Sequence, residues 1–123
     1  MKQLKFPNTY LDSRYLYTKL CFPEGIHFEE KTVKHEGKTL RQWDPKRSKL
    51  CAAILNKVSQ IGIKEQDVIL YLGASHGYTP SFVSDMVGKG GFVFALDFSP
   101  RVVRDLVFVC EKRKNMTPIL GNA

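Results

Sequence analysis

Two glycines at the end of an apolar run, and an acid twenty residues beyond the second, are the residues here best spaced to hold a ligand. The run is Val68-Ile-Leu-Tyr-Leu-Gly-Ala-Ser-His-Gly77, and Asp97 closes the next apolar stretch. Glycines let the backbone turn tightly and approach a ligand closely, and open α/β sheets bind ligands at the carboxyl ends of their strands. A carboxylate at the end of the following strand can accept hydrogen bonds from both ribose hydroxyls of a nucleoside. The dinucleotide fingerprint requires glycine at position 75, and this chain has Ser75. The pattern therefore points to an adenosine-containing ligand without a pyrophosphate at the turn. S-adenosylmethionine fits that description best, and NAD is a weaker alternative.

The flanking elements must position this turn. Val68 to Leu72 is expected to be a buried parallel strand, and Thr79-Pro80 to open a short helix carrying Phe82, Val83, Met86 and Val87, closed by Gly88. Phe92 to Leu96 is a second strand. Ser99-Pro100 caps a third helix running to about Lys114, with Val102, Val103, Leu106, Val107, Val109 and Cys110 as its core face and Phe108 among charged neighbours. Thr117-Pro-Ile-Leu-Gly121 begins a third strand. Upstream, Asp44-Pro45 is expected to cap a helix to about Gln60 with Leu50, Cys51, Ile54, Leu55, Val58 and Ile61 facing the core. Lys49 projects from the opposite side, whereas Arg47 falls at the centre of the apolar face.

Residues 1–44 are expected to form a small antiparallel β unit: Arg14 to Phe22, a turn at Pro23-Glu24-Gly25, then Ile26 to Lys34 and Lys38 to Trp43 around His35-Glu36-Gly37. Residues 45–123 alternate helix and strand, which argues a parallel sheet with right-handed crossovers. The fold class is therefore α/β, with an incomplete sheet. The first strand of a doubly wound sheet is normally central, and here it is expected to be a long apolar edge. Either the chain is part of something longer or a second polypeptide completes it.

Composition sets outer bounds. At 123 residues, 43% hydrophobic and 25% charged, the chain has the makings of one folded domain with a small appendage. No apolar run reaches the roughly 20 residues of a membrane span, and the start lacks the apolar stretch of a secretory signal. No membrane partner is expected. Its 19 Lys plus Arg outnumber 12 Asp plus Glu, a formal charge of +7 that attracts phosphate backbones. Cys21, Cys51 and Cys110 lack metal-ligand spacing, so reduced thiols and no metal site are expected.

Several motifs in order resemble fibrillarin: Trp43-Asp-Pro-Lys-Arg-Ser-Lys-Leu-Cys-Ala-Ala-Ile-Leu55, the glycine turn, Val83-Ser-Asp85, Phe98-Ser-Pro-Arg-Val-Val-Arg-Asp-Leu106 and Pro118-Ile-Leu-Gly-Asn-Ala123. The likeness is to archaeal members, which implies a cytoplasmic protein, nucleolar were it eukaryotic. It implies the first half of a Rossmann-type S-adenosylmethionine-dependent methyltransferase sheet behind a small N-terminal β domain. Family members methylate ribose 2′-hydroxyls of ribosomal or transfer RNA in a box C/D ribonucleoprotein, with a guide RNA selecting the target RNA and a Nop-type scaffold protein docking the enzyme. By position, Gly73, Ala74, Ser75 and Gly77 would line the cofactor and Thr79 would hold its methionine end. Tyr78 stands in the same cofactor segment where the family usually has threonine. Asp97, in place of the usual Glu, would bind the ribose, with Phe98 near the adenine. Asn122, in place of Asp, and Ala123 would border the base. Lys49 matches the first lysine of the family's Lys-Asp-Lys-His catalytic set, whose other members would lie after residue 123. Arg47 would contact RNA phosphate or brace the site. The alternative is a truncated, non-catalytic module that keeps scaffold or RNA contacts.

Overall fold

A computed structural model describes residues 1–122, so the expectation placed on Ala123 lies outside the described residues. The first part of the chain forms an antiparallel sheet from β1 (Lys2–Gln3), β2 (Thr9–Asp12), β3 (Tyr15–Lys19), β4 (Thr32–His35) and β5 (Lys38–Trp43), in the order β1-β2-β3-β5-β4. Glu36 and Gly37 both take positive φ, 49° and 78°, the two-residue loop that matches strand twist and sets the β4–β5 register. Two expectations change. β1 and β2 were not foreseen, because they are short and carry no clear alternation, and the Ile26 to Lys34 strand shrinks to β4.

The helix expected from Asp44 is also shorter. Arg47 N–H bonds to Asp44 C=O, making a turn, and Ser48 is the true cap, accepting from Cys51 N–H at 3.3 Å. Helix α1 is Lys49–Leu55, and Lys57 at φ 63° ends the helical geometry well before Gln60. Arg47 thus precedes the helix. The projection that put it at the centre of the apolar face assumed a helical backbone it does not have.

The second part follows the expected order: β6 (Val68–Leu72), α2 (Tyr78–Val87), β7 (Phe92–Asp97), α3 (Pro100–Glu111) and β8 (Met116–Leu120). The strands are parallel in the order β6-β7-β8, with β6 at an edge. Ala74, Val83, Val87, Val93, Ala95, Leu106, Val109 and Met116 form the core between one face of this sheet and helices α2 and α3. Nothing among the described residues covers the other face. Val68 is 70% exposed, Leu70 and Leu72 57% each, and Phe94 36%. The buried strand expected at Val68 to Leu72 is therefore buried on one side only. At the opposite edge, Asn115 C=O accepts from Val93 N–H and Gly121 N–H donates to Asp97 C=O, a register that turns the Pro118 nitrogen outward.

The two parts share their interior. Trp43 at the end of β5 stacks on Phe82 of α2 with ring centroids 4.8 Å apart, and Leu16, Cys51 and Met86 complete this second core. Beside it lies a buried charge network. Asp85 of α2 accepts from Arg41 Nη1 at 2.9 Å and Arg113 Nη1 at 2.7 Å, and all three side chains are fully buried. Arg41 also pairs with Glu30. Thr18 Oγ1 and Cys21 N–H donate to the same Asp85 carboxylate. Arg113 Nη2 reaches Gly25 C=O at 3.2 Å, and a Cβ on Gly25 would come within 2.9 Å of that guanidinium. Only glycine lets the turn close over it.

Desolvation pushes the Asp85 and Glu30 carboxyls up, but their arginine partners and hydrogen bonds outweigh it and hold both below the usual range. A carboxylate depressed in the folded state contributes stability above its unfolded pKa and loses it as pH falls through the folded value. Unfolding free energy is expected to be steady above pH about 5 and to drop steeply below pH about 4. Urea denaturation midpoints across pH 2.5–7 check this. A flat profile would contradict it.

Burial pushes the Cys51 and Cys110 thiols up to about 12, so both stay protonated. No helix of the described residues is long and apolar enough to cross a membrane.

Candidate functional site

The glycine turn forms where β6 runs out. Gly73 at φ 76°, Ser75 at 52° and Gly77 at 95° alternate with residues of negative φ and coil the backbone tightly. Gly73 and Ala74 N–H both donate to Leu96 C=O, at 2.9 and 2.8 Å, which pins the turn to the end of β7. Ser75 N–H then donates to Asp97 Oδ2 at 2.9 Å, and Ser99 N–H to Asp97 Oδ1 at 3.1 Å.

Asp97 is thereby part of the turn. The bonds from Ser99 and Ser75 hold its carboxyl below the usual range, so it stays ionised near neutral pH. Each oxygen keeps lone-pair capacity, so the carboxylate can still accept a pair of hydroxyls. Phe98, next in sequence, is 74% exposed and presents a free ring beside it. The Gly121 N–H bond to Asp97 C=O brings Asn122, which is exposed, to the same end of the sheet.

On the other flank, the turn opens into a cavity of about 260 Å³ lined by Gly73, Ala74, Ser75, Thr79, Arg47 and Phe28 among others. Thr79 Oγ1 donates to Ser48 Oγ at 2.9 Å, which ties the start of α2 to the start of α1. Lys49 follows Ser48 as the first residue of α1 and is exposed. Arg47 is exposed too, its guanidinium carbon 4.1 Å from the Tyr78 ring centre and 5.6 Å from that of Phe28.

Two residues expected to line a cofactor also carry structural contacts. Gly77 is buried against α3, and a Cβ there would stand 2.8 Å from Leu106 Cδ1, so its glycine serves helix packing as well as its positive φ. Tyr78 is buried in the core, where its hydroxyl accepts from Asp44 N–H at 2.8 Å. Its ring lines the cavity, and through Asp44 it braces the Asp44–Ser48 turn; packing against Phe28 and Phe82 accommodates the tyrosine. His76, not foreseen as structural, pairs its Nδ1 with Asp105 of α3 at 2.8 Å.

A parallel sheet with a glycine turn after one strand, an ionised acid ending the next and a cavity beside the turn defines an α/β protein of the Rossmann type. The family follows from the whole chain: residues 2–123 match the fibrillarin model, and the chain belongs to the fibrillarin family. It is 45% identical over 128 aligned positions to the fibrillarin-like rRNA/tRNA 2′-O-methyltransferase of Thermococcus onnurineus, covering all of this chain and 57% of that protein. The corresponding protein of Methanopyrus kandleri is 45% identical over 106 positions, covering 86% of this chain and 46% of the relative. Aeropyrum pernix fibrillarin, solved with natively bound S-adenosyl-L-methionine, superposes with TM-score 0.89 at 36% identity, over 98% of this chain and 55% of that one. Fibrillarin in a fibrillarin/Nop5p complex superposes with TM-score 0.79 at 30% identity, over 98% and 54%. The chain therefore spans little more than half the length of these relatives.

Proposed function

We propose that this chain binds S-adenosylmethionine and contributes to 2′-O-methylation of ribose in ribosomal or transfer RNA. The observation that carries the reading is the Gly73–Gly77 turn locked to Asp97, with Arg47 lining the cavity beside it and Lys49 exposed at the start of α1, whose cap Ser48 is bonded by Thr79 of that cavity. The ribose would bond Asp97, the adenine would lie by Phe98 and Asn122, and the methionine end would cross Gly73, Ala74 and Ser75 toward Thr79. When bound, the sulfonium supplies an activated methyl group for direct displacement by the ribose hydroxyl. The exposed ammonium of Lys49 would stabilise the alkoxide as it develops, since a fixed cation helps most where charge appears in the transition state. The setting would be a cytoplasmic box C/D ribonucleoprotein, with guide RNA and a Nop-type scaffold as partners.

The uncovered sheet face favours a second reading, a non-catalytic module that keeps only scaffold or RNA contacts. A polypeptide that completes the sheet restores catalysis under the first reading and does nothing for it under the second. Methyl transfer from labelled S-adenosylmethionine to guided RNA tests both. With the sheet completed, Lys49→Ala is expected to lower the rate on the order of 10²-fold while leaving cofactor affinity unchanged. An unimpaired variant would sink the catalytic role of Lys49.

A further inference from the structure

The cavity beside the glycine turn has an arginine in its wall that no ion pair among the described residues occupies. Arg47 lies over the Tyr78 ring at 4.1 Å, and Phe28 meets Tyr78 edge-on with centroids 5.3 Å apart. This packing sets the guanidinium against a buried aromatic ring, and none of its N–H groups makes a side-chain hydrogen bond or ion pair among the described residues. The nearest acid in sequence, Asp44, turns its carboxylate to Lys46 N–H at 2.9 Å. Arg47 and Ser75 line the same cavity of about 260 Å³, a space suited to a small group rather than a polymer backbone. Asp97 grips Ser75 from the opposite side of the turn.

A ligand whose ribose sits at Asp97 and that runs along Gly73, Ala74 and Ser75 would bring its other end to the cavity that Arg47 lines. The geometry points to Arg47 as the residue that binds the α-carboxylate of the cofactor's amino-acid end, by paired N–H donation from a guanidinium pre-set on Tyr78. This assignment rests on the adenosyl-cofactor reading above and replaces the RNA-phosphate role expected for Arg47. Its fork matches a carboxylate bidentately, and its stacked placement lowers the ordering cost that a free surface arginine would bear. The site then selects for the carboxylate itself. Tyr78, larger than the threonine usual in the family, is the platform that makes this arrangement available.

Calorimetric titration with two ligands tests it. S-adenosylhomocysteine carries the carboxylate, and its decarboxylated analogue, adenosyl-thiopropylamine, differs only in lacking it. The unsubstituted chain should bind the first at least tenfold more tightly than the second. Arg47→Gln should abolish that preference by weakening S-adenosylhomocysteine about tenfold or more, with the analogue unchanged within about twofold, and Arg47→Lys should fall between. Thermal unfolding of Arg47→Gln checks that the fold is intact. Equal weakening of both ligands, or of neither, overturns the assignment while leaving the cofactor reading in place. The same holds if the variant loses only RNA affinity. Failure of the unsubstituted chain to bind either ligand overturns both readings together.

Discussion

Asp85→Ala is expected to cost about 3–5 kcal/mol, a large part of the roughly 5–15 kcal/mol that holds an ordinary domain together. The side chain is fully buried and answers two arginines at once. With Asp85 gone, Arg41 retains Glu30, but Arg113 keeps only Ser84 Oγ and Gly25 C=O and becomes a buried cation without a counter-charge. Arg113→Met is gentler, because Asp85 still has Arg41 and the flexible thioether fills the space. The double variant should therefore lose clearly less than the sum of the two single losses, the signature of a coupled pair. Chemical denaturation of the three variants measures this. A loss below about 1 kcal/mol for Asp85→Ala would mean that the network is not the joint between the two sheets.

The open face of the parallel sheet carries the second large effect. Val68, Leu70 and Leu72 stand in one row, with Phe94 beside Leu70 on the central strand. An apolar surface of this kind, next to an unpaired strand edge, drives association. The chain by itself is expected to self-associate at micromolar concentrations and to bind an apolar dye. Leu70→Lys should weaken both about tenfold or more, with little change in the fold, because its side chain faces solvent. Sedimentation velocity distinguishes the outcomes: a strictly monomeric chain that binds no dye would contradict the expectation.

Much of this organisation could be read from residue order. The β6–α2–β7–α3–β8 alternation carried strong local signals: apolar runs of strand length, Gly88 ending one helix, and Ser99-Pro100 starting the next. The glycine turn was legible for the same reason, since Gly73 and Gly77 mark required backbone conformations. What escaped depends on contacts between distant segments. Ser48 makes the local cap bond with Cys51 N–H, and what ties it in place of Asp44 is the bond from Thr79, 31 residues away. Asp85 could have been singled out: the one charged residue of helix α2, between Ser84 and Met86, implies buried partners. Its actual partners, 44 and 28 residues away, could not.

Pro118 has a consequence for how far any assembly can extend. At the β8 edge, the outward-facing nitrogen at that register is the proline's and has no hydrogen to donate, whereas β6 offers an unbroken row of backbone groups. The parallel sheet is therefore sticky on one side and blunt on the other. Polymers need two joining edges per unit, and the missing donor at Pro118 makes the β8 edge the poorer of the two for growth through this sheet. Strand addition is therefore favoured at β6, whether by another copy or a different polypeptide, and head-to-tail stacking of these sheets is disfavoured at β8.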